Sequence, residues 1–437
     1  MNRSLFETQF LISEAESLLS RLKMLKPFTM SMPMVMAAAI SDKAMQGITN
    51  LTVAGYRELK KRVNDYINSL KNQAGTGNSP AEMQARFCVL KLRFNALLDQ
   101  MDIFADVLSQ RSEHETGVWV SGLDVLAEDA LQLNGRYYDA PPLVCFLERG
   151  HGAAIRRART RLPGGDLNPV AVIQLPRERM VGSGIASSLI HEVGHQGGSL
   201  LGLHESIRTQ IRRRQKCSPF KAGWECYHRW ISEIVSDFWA MGFLGIGATI
   251  GLMGVVSLPK YFVFRMSLGD PHPFPWIRVK LSLAFGKALY PHPQWERHEA
   301  LWERMYPASQ ADIRMKALID ELELTISEFV QLVINHRPVS LRGRQLKDVF
   351  PCAQRQPAQL QYLYSLWRFS PDEISKARPS LVFAVIGQAR ADYAITALRE
   401  SELLSKWLGN WAVLNSENRM KRELPDVYKG LKQLVNN

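Results

Sequence analysis

The sequence predicts an α+β chain, predominantly helical, with one small mixed sheet and helical regions at both ends. Three observations carry this. Apolar residues recur at helical spacing through the first 72 residues and again, almost without interruption, from about Ala308 to the end. Two short runs, PPLVCFLER (141–149) and NPVAVIQL (168–175), are rich in β-branched and apolar residues and framed by Pro, Gly and Asn, as strands are. Between these regions lies a third helical pattern, from Ile185 to about Leu203, with Ser183 as its expected N-cap.

In chain order, SLFETQFLISEAESLLSRLK and YRELKKRVNDYINSLKN read as amphipathic helices. The Met-rich FTMSMPMVMAAAI (28–40) between them is too short to span a bilayer and suits adaptable packing. QAGTGNSPA (73–81) collects turn formers and is the best linker in the chain. A long helical pattern runs from Met83 to about Gln110, and another begins near Trp230. RGHGAA (149–154) lacks the GKS/T end of a phosphate loop and reads as a turn before a basic helix. These breaks suggest an N-terminal helical region (1–80), a core (81–307) and a C-terminal helical domain (308–437).

Composition narrows the class. A chain of 437 residues, 46% hydrophobic and 22% charged, has the makeup of a globular protein and not of a disordered one. The net charge of +12 favours acidic partners and gathers in RRARTR (156–161), RTQIRRRQK (208–216) and HRPVSLRGRQLK (336–347). No nucleic-acid module accompanies these runs, so they read as solvated faces and nucleic acid is not an expected partner. Five cysteines, without CxxC spacing, point to a reducing compartment; Cys217 and Cys226 bracket a short loop and are the one pair placed to join under oxidation. Glu7, Glu14 and Glu16 interrupt the start of the chain, which therefore lacks the pattern of a signal peptide. A cytoplasmic protein is expected, with non-classical export or membrane association left open.

The chemistry concentrates in SSLIHEVGHQGG (187–198). On a helix, residues four apart share a face, so His191 and His195 can offer two imidazole nitrogens to one ion, with Glu192 beside it as a general base for a hydrolytic water. Catalytic zinc needs a third protein ligand and an open fourth position. The pattern HExxHxxGxxH would supply a histidine at position 201, but that residue is Leu201. WISEIVSDFWA (230–240) offers Glu233 instead, with Asp237 one turn on, both set in an apolar stripe of Trp230, Ile234, Phe238 and Met241. Two carboxylates on such a face need partners, and Asp237 is suited to hold the distal nitrogen of a ligand histidine.

Through HEVGH at 191–195 and EIVSD at 233–237 the chain resembles the gluzincin metallopeptidases. DPHPFPWIR (270–278) adds an HPxxxxR element similar to that of the CAAX prenyl endopeptidases and their bacterial relatives. The resemblance covers roughly residues 183 to 280. It implies a zincin-like core, zinc held by His191, His195 and Glu233, Arg278 bracing Asp237, and His272 facing the cleft as a catalytic residue. The chain departs from the family in carrying EIVSD where EAD is usual and in the basic loop between His195 and Glu233, so no substrate class carries over.

Phe238 to Leu258 contains no charge and, as one helix, would reach about 31 Å, enough for a hydrocarbon core. It continues directly from Glu233 and Asp237, however, and its five glycines predict a break near Gly245 to Gly251, so a buried, interrupted core segment is expected and membrane contact is not favoured.

The sequence thus leads to a zinc-dependent hydrolase acting on a peptide or protein, acidic if the positive charge is used, with NPVAVIQL offering an edge for an extended peptide. Two rival readings stand: a catalytically silent zincin-fold binding or scaffold protein, and a membrane-associated peptidase using 238–258. The remaining histidines, at 114, 151, 204, 228, 292, 298 and 336, lack ligand spacing and read as surface or hydrogen-bonded core residues.

Overall fold

A computed structural model describes residues 3–72, 79–150, 152–177, 182–267, 269–370 and 372–423. Most of the 73–81 linker, together with His151 and the end of the C-terminal helical pattern, lies outside them. The described chain is predominantly helical with one three-stranded mixed sheet, an α+β architecture.

The chain forms two compact units: Met1–Ser121 with Pro141–Val144 and Arg156–Val172, and Gly122–Ala140 with Cys145–Ile155 and Ile173–Asn437. These divisions differ from the expected boundaries at 80/81 and 307/308. The helix after the linker packs back on those before it, and the helices after 307 pack on those of the core.

In the first unit, helices α1 (Arg3–Lys23), α2 (Asp42–Asn72) and α3 (Pro80–Ser109) share an apolar core. Leu11, Ala15, Leu18 and Leu22 recur every three or four residues and are all buried, as are Leu59, Val63 and Leu70 of α2 and Phe87, Phe94 and Leu97 of α3. α3 starts with a complete capping box, in which Ser79 Oγ accepts from the Glu82 N–H and Glu82 accepts from the Ser79 N–H, with Pro80 at the first helical position.

Helix α4 (His114–Ala130) leads to the sheet of β1 (Leu143–Glu148), β2 (Ala154–Arg156) and β3 (Ala171–Pro176), in the order β1-β3-β2. β1 and β3 run parallel, with the Ala171 N–H donating to the Pro142 carbonyl and the Arg177 N–H to that of Glu148. β2 reaches β3 through an antiparallel turn. One expectation is narrowed and one fails here. β3 is the central strand, and the three-residue β2 folds back onto the first part of the side that β1 leaves open, so only the rest of that side remains an edge. RRARTR is no helix: it leaves β2 and turns, with Arg159 at φ 64°.

The second unit is built around helices α5 (Ser183–Leu200) and α7 (Lys221–Leu244). Their approach depends on glycine: a Cβ on Gly194 would sit 2.8 Å from the Ser236 Cα, and one on Gly197 would overlap the Trp239 ring. Trp239 Nε1 donates to the Ala130 carbonyl, fixing that ring in place. The interval expected to be a basic loop is helix α6 (Leu203–Cys217), whose Arg208, Arg212 and Arg214 pair with Glu205, Glu225 and Glu328. These pairs are exposed or half-exposed, each of small energetic weight.

α7 ends at Gly245, where φ is +56°, and α8 (Ile246–Val256) departs from it. The apolar run is therefore interrupted and mostly buried, and among the described residues no helix is long and apolar enough to cross a membrane. Arg355, itself buried, donates to the Phe243 carbonyl and closes the end of α7. A surface segment leads back to α9 (Pro275–Leu289), followed by α10 (Gln294–Met305), α11 (Ile313–Ile334), α12 (Pro357–Phe369), α13 (Pro379–Ala391) and α14 (Ala397–Glu423). The five cysteines are free, including Cys217 and Cys226.

Candidate metal centre

α5 and α7 each bring one half of the site. His191 and His195, one turn apart, present their rings edge to face at a centroid distance of 4.8 Å. Glu233 reaches them from α7: its Oε2 lies 3.2 Å from His191 Nε2 and 3.4 Å from His195 Nε2. One ligand atom from each of the three residues falls within 4.8 Å of the others. A tetrahedral ion at about 2.0–2.1 Å from its ligands separates them by about 3.3–3.4 Å, so the two histidine–glutamate spacings have the length of tetrahedron edges. Two imidazoles and one carboxylate are the donor set of a catalytic zinc site with one position left open. The residues present fit such an ion.

Asp237, one turn beyond Glu233, accepts from His191 Nδ1 at 2.7 Å, which assigns that ring's Nε2 to the cluster. Arg278, in the first turn of α9, holds both oxygens of Asp237, Nε donating to Oδ2 at 2.7 Å and Nη2 to Oδ1 at 2.8 Å. The chain of contacts from Arg278 through Asp237 to His191 thus spans three helices. His195 has a weaker counterpart, the Ser232 hydroxyl, 3.4 Å from its Nδ1.

Electrostatics follow from this enclosure. Burial alone disfavours a charged His191 ring, but Asp237 and Glu233 outweigh it and lift its pKa from 6.5 to about 9. Burial works against ionised Glu233 and Asp237 as well. Hydrogen bonds from three histidines hold Glu233 well below the carboxylate range, and Arg278 with His191 does the same for Asp237. The proton on His191 and a metal ion compete for the same nitrogen.

Glu192 is 7% exposed, its carboxylate oxygens are not among the sealed, unpartnered polar atoms of the described residues, and the Arg278 charge acts on it. A carboxylate so placed can still take a hydrogen bond from water or substrate. His272 is brought to the same place but lies outside the three-ligand cluster. Its side chain is 45% exposed, and its Nε2 lies 3.1 Å from Glu233 Oε2.

Every site residue expected from the sequence is therefore in this cleft: His191, Glu192, His195, Glu233, Asp237, His272 and Arg278. None of the other described histidines joins the cluster. His336 bonds Ser206 and His298 bonds the Gln294 carbonyl.

Three neighbours were missed. Asp270 bonds both the ring and the backbone of His272, and the Asp-Pro pair two residues upstream was the signal available. Ser232 had no signal beyond adjacency to Glu233. Glu400 receives the Ser183 N–H and hydroxyl at the start of α5, from 217 residues away, and nothing local announces it. Ser183 is accordingly the first helical residue of α5 and is held by Glu400, with Gly182 at the cap position, so its expected role as N-cap is corrected.

Compared with protein-family profiles, curated proteins and solved structures, the chain finds no match in any of the three.

Proposed function

We propose that the protein is a zinc-dependent hydrolase, a metalloendopeptidase of gluzincin type with a zincin-like core. The single observation that supports this most is the convergence of His191, His195 and Glu233, from two helices, with both histidine–glutamate spacings at tetrahedral-edge length. His191, His195 and Glu233 would hold the ion, and Asp237 with Arg278 would keep His191 in the tautomer that ligates.

When bound, zinc polarises a carbonyl oxygen and makes water a nucleophile near neutral pH. Glu192 takes a proton from the attacking water and passes it to the amine nitrogen that leaves. His272, open to solvent at the same cleft, donates a hydrogen bond to the carbonyl oxygen as charge builds on it. The burial of His191, Glu192 and Glu233 lowers the local dielectric and strengthens each of these contacts.

The substrate on this reading is a peptide or protein. A silent binding protein has no use for a general base at position 192, which argues for turnover. The experiment is metal analysis of the full chain purified without added zinc. One equivalent is expected in the wild type and none in Glu233→Ala, and equal metal content in the two would remove the assignment.

A further inference from the structure

His272 is exposed, so packing does not fix its ring. Asp270 does. Its Oδ1 accepts from the His272 backbone N–H at 3.0 Å and from the ring Nδ1 at 2.7 Å, closing a small loop of two hydrogen bonds on one oxygen. The backbone favours this arrangement before any contact forms. Asp270 and His272 each precede a proline, Pro271 and Pro273, which restricts both to extended conformations and fixes the prolines' own φ. On one side the Asp270 N–H donates to the Ser267 carbonyl. On the other, buried Phe274 meets Trp230 edge to face at 5.9 Å, on the turn of α7 just before Glu233.

With Nδ1 committed to Asp270, the nitrogen left to face the cleft is Nε2, which lies 3.1 Å from Glu233 Oε2. Among the described residues, Asp270 and Glu233 are the only groups that bond this ring. A cation at the three-ligand cluster engages Glu233, and Asp270 is then the one protein group still orienting His272.

We propose that Asp270 is the positioning residue of His272, holding Nδ1 so that Nε2 is presented to the oxygen of a bound amide carbonyl. The proposal rests on the hydrolase reading for its purpose and on the Asp270–His272 geometry for its content. Asp270 touches no substrate. It acts through the ring, and removing both residues must cost no more than removing the ring alone.

The test is a double-mutant cycle on the zinc-loaded full chain: wild type, Asp270→Ala, His272→Ala and the double variant, with Asp270→Asn as the conservative replacement. Activity is read on a quenched fluorescent peptide selected with the wild type from a mixed-sequence library. Zinc content should stay at the wild-type level throughout. Asp270→Ala should lower kcat about 10–100-fold with little change in KM, Asp270→Asn should recover part of it because its amide oxygen still accepts, and the double variant should match His272→Ala.

Losses that multiply in the double variant, or full kcat in Asp270→Ala, would overturn the proposal. A crystal structure of Asp270→Ala supplies a readout independent of turnover: the His272 ring should leave the cleft or occupy several rotamers, and a ring still ordered beside Glu233 also overturns it. A wild type without zinc or hydrolysis would sink the hydrolase reading, and the position of the ring in that structure would still decide the role of Asp270.

Discussion

The α1–α3 bundle and the α5–α7 pair both come from helices with an apolar stripe, yet they use it in opposite ways. The bundle buries Leu18, Val63, Phe87 and their neighbours and leaves its charges in water, where Glu58 and Arg62 form an exposed pair. The α5–α7 pair buries His191, Glu192 and Glu233 among side chains such as Trp230 and Trp239. Burying an apolar side chain stabilises by about 1.5–3 kcal/mol, whereas a polar group without a hydrogen-bond partner costs about that much or more. The first arrangement explains itself by stability. The second does so only if its polar groups are satisfied by one another and by something that binds.

That contrast breaks or sharpens under substitution. The largest effect is expected at Glu192→Gln, which should retain zinc and lose peptide hydrolysis by about 10²–10⁴-fold, measured as kcat on the wild type's best peptide. Unchanged turnover would place the site in the same class as the bundle. Arg278→Ala leaves Asp237 enclosed without its cation and should destabilise the fold by about 3–5 kcal/mol in denaturant titration, with zinc affinity falling about 10–100-fold.

Leu18→Ala in the bundle should cost about 2–5 kcal/mol of stability and leave the kcat of the folded protein as it was. A comparable fall in kcat would show that the contrast between the two regions is false.

The smallest effect is expected at Glu400, whose pKa burial pushes up despite the Ser183 hydrogen bonds and Arg390 at 4.0 Å. A carboxyl with a raised folded pKa contributes stability that is fully present below the unfolded value, near 4.5, and is lost as pH rises through the folded one. Glu400→Gln should therefore remove that decline from the stability–pH curve and otherwise shift stability by about 1 kcal/mol through the altered contact at the start of α5. Parallel curves for the two proteins would show that this carboxyl does not titrate as described.

Much of this arrangement is local and legible in the chain. Spacing of four puts His191 with His195 and Glu233 with Asp237 on single faces, because an α-helix turns once in 3.6 residues. The glycines after Phe243 mark a break for a local reason, the backbone freedom that the absence of a Cβ allows, whereas the close contact made at Gly194 and Gly197 appears only when the helices pack. The helical character of both ends and the strands at 141–149 and 168–175 follow from periodicity and side-chain type.

What the chain did not disclose is where its elements meet. Strand β3 became central when β2 folded back on it, and RTQIRRRQK became a helix whose charges find carboxylates at positions 225 and 328 as well as locally. Glu400 arrived at α5 from a helix more than two hundred residues away, and Asp270 turned on His272. Local periodicity states which face of an element is apolar. Only packing decides which faces touch, since the free energy of a hydrogen bond or an ion pair depends on partners and solvent exclusion that no single segment contains.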